Sequence, residues 1–351
     1  MHGHDASEAL QQQVRDAVAA RTPLCISGGG SKAFYGRKPV GEPLSTRTHC
    51  GIVNYEPTEL VITARSGTPL AEIERTLASQ RQMLAFEPPH FGPATLGGTI
   101  AGNFSGPRRP YAGAARDFVL GCRLINGRGE QLHFGGEVMK NVAGYDVSRL
   151  QCGALGTLGV LLEVSLKVLP RPARELTRVL ELEPAAALQR LHHWARLPLP
   201  VSATCLVEGR LYLRLEGSAE AIEAASDQIG GDTLADDTFW HGIREQQHPF
   251  FADERPLWRL SLPSDTPPLP LPGRWLYEWG GSQRWLLSTA SAADIRAAAQ
   301  EAGGHATVFR RGDRQQAFQP LPAALLRYHR RLKQAFDPHG LFNPGRLYPE
   351  L

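Results

Sequence analysis

The chain has 351 residues, of which 42% are hydrophobic and 21% are charged, a balance typical of proteins that fold around apolar cores. This length exceeds what one ordinary core supports, so we expect two domains. The net charge of +3 is too small to indicate nucleic acid or a lipid surface as a partner.

The cysteines are few, odd in number and widely spaced: Cys25, Cys50, Cys122, Cys152 and Cys205. This pattern argues against a disulfide framework, a zinc site or an iron–sulfur cluster ligated by this chain alone, so we expect no metal. The first residues do not resemble a signal peptide, and no stretch approaches the ~20 apolar residues that cross a bilayer. We therefore expect a cytoplasmic protein that reaches a membrane surface only through partners.

Short strands and helices alternate in the first half of the chain. In chain order we predict a helix over 8–20, strands over 24–27, 52–55 and 59–64, a helix from 68 to about 80, and strands over 118–125, 131–134 and 158–169. Thr68 is the predicted N-cap of the second helix, with Pro69 in its first turn. Pro170 and Pro172 should end the first domain, because closely spaced prolines cannot continue a central strand.

The second half combines helices with hairpins. We predict helices over 185–196, 219–229, 292–302 and 321–336, hairpins over 202–215 and 275–288, and strands over 257–262 and 307–310. This alternation favours a smaller α+β domain of ferredoxin-like type. The last segment, residues 336–346, is dense in Pro and Gly, which favours a functional tail, although a plain C-terminal turn is the alternative.

Two glycine-rich stretches lie in the first domain. The first is Ile26-Ser27-Gly28-Gly29-Gly30-Ser31-Lys32, and the second spans residues 93–106. Glycine lets another molecule approach the backbone, and several N–H groups can then form one concave anion site. Two such loops indicate a long cofactor with a charged middle, such as a dinucleotide, whereas a flexible turn is the alternative for the first loop alone.

Two common phosphate-binding motifs do not fit the first stretch. A Walker A loop requires G-x-x-x-x-G-K-[ST], and Lys32 follows Ser31 outside that frame. A Rossmann fingerprint requires G-x-G-x-x-G at the start of a helix, and the residues after Gly30 supply neither the third glycine nor a helical pattern.

Three segments together carry a family resemblance: Ser27–Ser31, residues 88–101 and residues 153–161. In this order they resemble the FAD-binding domain of the vanillyl-alcohol-oxidase/PCMH superfamily. The motif Lys140–Asp146, the segment Gly106–Arg109 and the tail 336–346 make the chain similar to the FAD-binding (E) subunits of bacterial glycolate oxidase. The resemblance implies an α+β fold: a PCMH-type two-subdomain FAD-binding domain over 1–172, a smaller ferredoxin-like cap over 173–320, and a C-terminal helix and tail over 321–351 that returns to the flavin.

The resemblance also implies which residues contact FAD. The implied contacts are Ile26, Ser27, Gly28, Gly29, Gly30 and Ser31 with the pyrophosphate; Pro88, Thr95, Gly97, Gly98 and Thr99 with the flavin and pyrophosphate; Ala101, Gly102, Ser105 and Gly106 along the cofactor; Gly156, Gly159 and Val160 with the adenine half; and Asn343 with the isoalloxazine edge. Some superfamily members attach FAD through a His in the first loop, where this chain has Gly30, so noncovalent FAD is expected. Lys32 either adds a charge to this site or lies in solvent.

The implied function is an FAD-binding subunit of a complex that oxidises glycolate to glyoxylate, either relaying electrons or supporting a separate catalytic flavin subunit. The implied partners are a larger FAD-containing subunit and an iron–sulfur subunit. Related 2-hydroxyacid dehydrogenases carry an H-x-G-D-G-N-x-H motif that this chain lacks, so we name no catalytic base. Arg108 and Arg109 either clamp a substrate carboxylate or form structural ion pairs. A stand-alone flavin oxidase or dehydrogenase of an alcohol or 2-hydroxy acid is the alternative function, and a cofactor-free scaffold is the third.

Overall fold

The computed structural model describes residues 3–136, 146–236 and 238–351. The chain divides into two compact units. The first unit contains Met1–Phe104, Ala114–Pro170 and Pro320–Leu351. The second contains Ser105–Gly113 and Arg171–Gln319, so a short piece of the second glycine-rich stretch goes with the later part of the chain.

The described residues form short helices and strands throughout. The helices are α1 (Ser7–Ala20), α2 (Leu70–Ser79), α3 (Leu96–Gly102), α4 (Arg109–Ala112), α5 (Val147–Leu150), α6 (Pro184–Trp194), α7 (Ala219–Ile229), α8 (Phe239–Arg244), α9 (Ala292–Glu301) and α10 (Ala323–Phe336). The strands are β1 (Leu24–Ser27), β2 (Glu42–Ser45), β3 (Ile52–Glu56), β4 (Val61–Arg65), β5 (Gln82–Met83), β6 (Val119–Ile125), β7 (Gln131–Gly135), β8 (Val160–Lys167), β9 (Leu169–Pro170), β10 (Arg174–Glu181), β11 (Val201–Val207), β12 (Arg210–Gly217), β13 (Asp232–Thr233), β14 (Leu257–Ser261), β15 (Arg274–Glu278), β16 (Gln283–Leu287) and β17 (His305–Arg310).

The first unit is built on a five-stranded sheet with the order β3-β4-β8-β6-β7, in which the neighbouring strands are antiparallel. Its central strand β8 contains the long apolar alternation read from the sequence. Val160 and Leu162 of this strand pack with Leu10 and Val14 of α1 and with Phe342 of the tail in one buried cluster. Because Phe342 belongs to this cluster, the tail is part of the core. Burial of such side chains stabilises the fold by about 25 cal/mol per Å² of apolar surface.

A small parallel sheet positions the first glycine-rich stretch. β1 pairs with β2, and Leu24 of β1 also forms a parallel bridge with Phe342 of the tail. The chain leaves β1 at Ser27 and enters the glycines directly. The loop therefore begins at a strand end that is held from two sides.

The second glycine-rich stretch differs from the sequence prediction, because half of it is the helix α3 and not a loop. Leu96 and Ile100, four residues apart, are both buried and give this short helix an apolar face. Gly97 fits there because a Cβ at this position would lie 2.7 Å from Cβ of Ser66. Close helix–strand packing, more than backbone freedom, explains this glycine.

The predicted N-cap of α2 is also wrong. The helix begins at Leu70 with Pro69 as its cap residue. The Thr68 hydroxyl is used elsewhere, since it donates to the Gly51 carbonyl oxygen and accepts from the Gly51 N–H.

The second unit carries an eight-stranded sheet with the order β13-β10-β12-β11-β15-β16-β14-β17. Its described neighbours pair antiparallel, and the predicted hairpins around Glu208-Gly209 and Gly280-Gly281 are confirmed. The apolar faces of α6 and α7 pack with β11 and β12, and α9 packs with β14 and β16. In the described ranges, no helix combines the length and the apolarity required to span a membrane.

Candidate functional site

The loop after β1 lies directly against the residues that precede α3. The Gly29 N–H donates to the Thr95 hydroxyl at 3.4 Å. A Cβ on Gly28 would collide with the same hydroxyl, and a Cβ on Gly29 would collide with the carbonyl oxygen of Pro93. The structure thus brings two predicted glycines and the predicted Thr95 together, and the glycines permit this close approach.

Gly30 faces a different environment from its neighbours. Its φ is +75°, and a Cβ at this position would have no described atom within 4 Å. The conformation is one that non-glycine residues adopt only at a cost of about 1–2 kcal/mol. The open space beside Gly30 leaves room for a ligand at this turn of the loop.

Lys32 connects this loop with the predicted segment around residue 90. Its ammonium group lies 3.2 Å from the His90 carbonyl oxygen, 3.4 Å from the Ser31 hydroxyl and 5.8 Å from the centre of the Phe91 ring. A Cβ on Gly102 would lie 3.5 Å from the Lys32 side chain. The cation is therefore held between the first loop and the His90-Phe91 segment, and the aliphatic part of the Lys32 side chain lies near Gly102 at the end of α3.

Buried oxygen atoms without partners cluster around α3. The hydroxyls of Ser66 and Thr99 and the amide oxygen of Asn103 are buried, and none has a hydrogen-bond partner among the described residues. An unsatisfied buried polar group costs about 1–3 kcal/mol, so these atoms favour a ligand that supplies hydrogen-bond partners.

Asn343 joins the tail to two predicted elements of the site. Its amide oxygen accepts from the Ile26 N–H at 2.7 Å, and its NH2 donates to the carbonyl oxygens of Leu155 at 2.7 Å and Ile26 at 3.4 Å. Gly156 follows with φ +73°, and a Cβ there would lie 2.7 Å from the Asn343 amide nitrogen. The backbones of Leu155 and Gly153 in turn donate to the carbonyl oxygens of Ala101 and Ile100 in α3.

A buried ion pair that sequence reasoning missed holds the start of the tail. The Lys333 ammonium donates to Asp337 at 2.7 Å and to the carbonyl oxygens of Thr157 at 2.9 Å and Phe342 at 2.7 Å. Asp337 also accepts from the N–H groups of Leu341 and Phe342. Burial lowers the pKa of Lys333, and the Asp337 carboxylate opposes this shift. The sequence signal for this ion pair was the Lys-x-x-x-Asp spacing at the end of a predicted helix, because residues four apart lie on the same helix face.

Other predicted contact residues occupy different settings. Gly159 precedes β8, and Val160 begins it with its side chain completely buried in the apolar cluster that includes Phe342. Pro88 is buried in the segment between β5 and α3. Ser105 and Gly106 belong to the second unit, where the Gly106 carbonyl oxygen accepts from the Trp279 indole at 3.1 Å.

Within the second unit, the ion-pair alternative holds for Arg108. Its guanidinium pairs with Glu216, which also lies 3.3 Å from Arg214, and all three side chains are nearly buried. Arg109 lies over the Trp279 ring at 4.4 Å. Of the motif Lys140–Asp146, Asp146 caps α5, and the other residues lie outside the described ranges. In the part of the chain that the structure describes, no group of three or more His, Cys, Asp or Glu side chains could hold a metal ion.

The residues around the first loop fit a dinucleotide. An anionic diphosphate needs several N–H donors without side chains in the way, and the open side of Gly30 offers that space. Lys32 supplies a nearby positive charge, and the oxygens of Ser66, Thr99 and Asn103 supply polar atoms that lack partners in the described chain.

Comparison with known proteins decides the family. Residues 5–135 match the family described as FAD binding domain. Over 348 residues the chain is 54% identical to the glycolate oxidase subunit GlcE of Escherichia coli (strain K12), and the match covers 99% of both chains. This chain belongs to the GlcE family. The predicted resemblance to E subunits of glycolate oxidase and the predicted FAD-binding domain are thus confirmed.

More distant relatives match part of the GlcE-family chain. It is 26% identical over 236 residues to the glycolate oxidase subunit GlcD of Bacillus subtilis (strain 168), covering 60% of this chain and 49% of that protein. It is 32% identical over 133 residues to D-lactate dehydrogenase of Anaerostipes hadrus, covering 38% of this chain and 28% of that protein.

Solved structures confirm the fold class. The 4-ethylphenol oxidase from Gulosibacter chungangensis superposes with a TM-score of 0.73 at 16% identity, over 99% of this chain and 89% of that one. An alkyldihydroxyacetonephosphate synthase gives a TM-score of 0.68 at 15% identity, over 99% of this chain and 76% of that one. At this identity the likeness establishes the α+β, PCMH-type fold and nothing about substrate.

Proposed function

We propose that this chain is the FAD-binding subunit of a glycolate oxidase complex that oxidises glycolate to glyoxylate. The observation that carries the proposal is the 54% identity to a glycolate oxidase GlcE subunit over 99% of both chains. The open side of Gly30 and the nearby Lys32 ammonium group are compatible with a bound diphosphate.

The residues have distinct parts in this proposal. Main-chain N–H groups of the loop Ser27–Ser31 bind the pyrophosphate, whereas the Ile26 N–H is already donated to Asn343 and that of Gly29 to Thr95. Lys32 neutralises part of the pyrophosphate charge. Pro88, Thr95, Gly97, Gly98, Thr99, Ala101 and Gly102 line the cofactor, and the main chain of Gly156, Gly159 and Val160 lies at the adenine half. These residues would hold FAD noncovalently, and the bound flavin would supply electron-carrying chemistry.

The partners are part of the same proposal. We infer a larger FAD-containing subunit, which oxidises glycolate, and an iron–sulfur subunit, with contact to the inner membrane only through these partners. The present chain relays electrons or supports the catalytic flavin. Pairing of Arg108 with Glu216 supports this division, because that guanidinium already binds a carboxylate of its own chain.

The test is the visible spectrum of the purified chain, followed by anaerobic addition of glycolate. A yellow protein whose flavin absorbance persists with glycolate, but bleaches after the two partner subunits are added, would support the proposal. Bleaching by glycolate alone would place the substrate site in this chain and support the stand-alone enzyme. A colourless chain that takes up no added FAD would contradict the FAD assignment.

A further inference from the structure

The C-terminal tail contacts the first glycine-rich loop at both of its ends. At one end, Asn343 bonds the N–H and the carbonyl oxygen of Ile26. At the other end, the Arg346 guanidinium donates to the carbonyl oxygens of Arg37 at 2.8 Å and Lys32 at 3.4 Å. The loop Ser27–Ser31 lies between these two attachment points.

The second attachment is reciprocal. The Arg37 N–H donates to the Arg346 carbonyl oxygen at 3.1 Å, and the Arg37 guanidinium donates to the Gly345 carbonyl oxygen at 2.9 Å. Arg346 is 9% exposed, so these bonds are largely shielded from water. The Arg346 guanidinium thus bonds the main chain that follows the loop, and the Arg37 guanidinium bonds the main chain of the tail. Together these bonds fix the spacing between the two stretches of main chain more tightly than one contact would.

The tail is itself fixed before it reaches the loop. Lys333 uses its ammonium protons on Asp337, Thr157 and Phe342, so the chain direction after α10 is set by a buried group with three acceptors. The Leu24 N–H then donates to Leu341 at 2.7 Å, and the Leu24 carbonyl oxygen accepts from Asn343 at 2.9 Å. The tail therefore extends the β1 pairing up to the residue that binds Ile26.

We propose that Asn343 and Arg346 are positioning residues that preset the first loop for FAD, acting through the backbones of Ile26, Lys32 and Arg37 without contacting the cofactor. This inference rests on the proposed FAD function. It replaces the predicted contact of Asn343 with the isoalloxazine edge, because both amide protons of Asn343 are already donated to Leu155 and Ile26. Because the loop is already ordered before FAD binds, binding does not incur the entropy cost of ordering it.

A positioning role and a direct contact with FAD predict different binding kinetics. A loop that is competent for only a fraction of the time lowers the apparent affinity by that fraction, and the loss appears in the association rate. A lost direct contact would instead raise the dissociation rate. Global destabilisation would change neither rate at 25 °C as long as the variant stays folded.

The experiment compares Asn343→Ala and Arg346→Met with Arg346→Lys and with Gln334→Ala. Gln334 is the matched control, since its bond to the Pro338 carbonyl oxygen at 3.3 Å secures the tail without touching the loop. Hydrogen exchange of residues 26–37 is measured on the chain stripped of FAD, and stopped-flow FAD binding follows the association and dissociation rates separately.

We expect faster exchange in the loop and an association rate lower by about tenfold for Asn343→Ala and Arg346→Met, with an unchanged dissociation rate. Arg346→Lys should recover part of both effects, and Gln334→Ala should match the wild type. Unchanged loop exchange, or a raised dissociation rate with an unchanged association rate, would overturn the proposal. If the wild type takes up no FAD while the variants still exchange faster, the tail orders the loop and the proposed FAD function is the part that fails.

Discussion

Gly30 offers the sharpest test of where the cofactor diphosphate lies. Replacing Gly30 by Ala adds a Cβ that meets no described atom within 4 Å, so any clash arises from the cofactor and not from the protein. Gly29 is unsuitable for this purpose, because its added Cβ would collide with the Pro93 carbonyl oxygen whether or not FAD is bound. The matched control is Gly340→Ala, at a position with φ +65° that is equally open.

The magnitudes follow from two separate terms. Both variants place an alanine in the left-handed region, at φ +75° for Gly30 and +65° for Gly340, which costs about 1–2 kcal/mol of stability in each. Only Gly30→Ala should also crowd the bound diphosphate. Overpacking costs about 1–3 kcal/mol, which corresponds to a rise in the FAD dissociation constant of about 5- to 150-fold.

The assay is fluorescence titration of the FAD-free protein with FAD, accompanied by thermal unfolding without and with the cofactor. We expect similar melting temperatures for the two FAD-free variants, because the backbone strain is the same. With FAD present, Gly340→Ala should be stabilised like the wild type and Gly30→Ala much less. Equal FAD affinity in the two variants would refute the placement of the diphosphate over this loop.

The remaining predictions concern charge, a buried hydroxyl and pH. Lys32→Met should weaken FAD binding and reduce its dependence on salt concentration in titrations, because a screened attraction is lost, whereas the exposed control Lys38→Met should leave both unchanged. Thr99→Val removes a buried hydroxyl without a described partner, so the melting temperature of the FAD-free chain should stay the same or rise. The same variant should weaken FAD binding by about 0.5–1.5 kcal/mol. A lower melting temperature would show that the hydroxyl is satisfied within the protein. Burial lowers the pKa of His49 from 6.5 to about 4 despite the opposing charge of Asp5. Between pH 6.5 and 4 the imidazole is therefore protonated in the unfolded chain but not in the folded one, so the free energy of unfolding should fall as the pH decreases through this range. Urea unfolding across this range should show a shallower loss for His49→Asn, and an equal slope would exclude His49 as the cause.

Local patterns in the sequence predicted much of the fold. The alternation from Val160 to Val168 identifies β8 because side chains at every second position point to the same face of a strand. The hairpin at Glu208-Gly209 was also predicted from its glycine between two strand-like segments. The structure shows a tight turn there, in which both residues take positive φ. In both cases the signal lies within a few residues of the structure that it specifies.

The error at α3 has a physical reason. Glycines were read as marks of a loop, because glycine is a poor helix former in isolation. In the folded chain, Leu96 and Ile100 bury the apolar face of the helix, and Gly97 lets it approach Ser66. Packing with residues about 30 positions away therefore outweighs the local propensity.

The candidate site shows the same limit more strongly. The glycines of the first loop were found from the sequence, but the side chains that bond the residues on either side of the loop are Asn343 and Arg346, about 300 positions later. Nothing in the local sequence pairs an asparagine amide with the backbone of Ile26. Such contacts depend on the path of the whole chain, so the sequence indicated that the tail matters without indicating how.

The Lys333–Asp337 pair illustrates why that path is specified by polar groups. A buried ion pair is weak evidence for stability, because removing two charges from water offsets most of their attraction. An aliphatic pair could fill the same volume, yet it would bond to no particular oxygen. The ammonium of Lys333 instead selects the carbonyl oxygens of Thr157 and Phe342 and so fixes where the tail turns toward β1. The interaction is therefore better explained by the single chain direction that it enforces than by the stability that it adds.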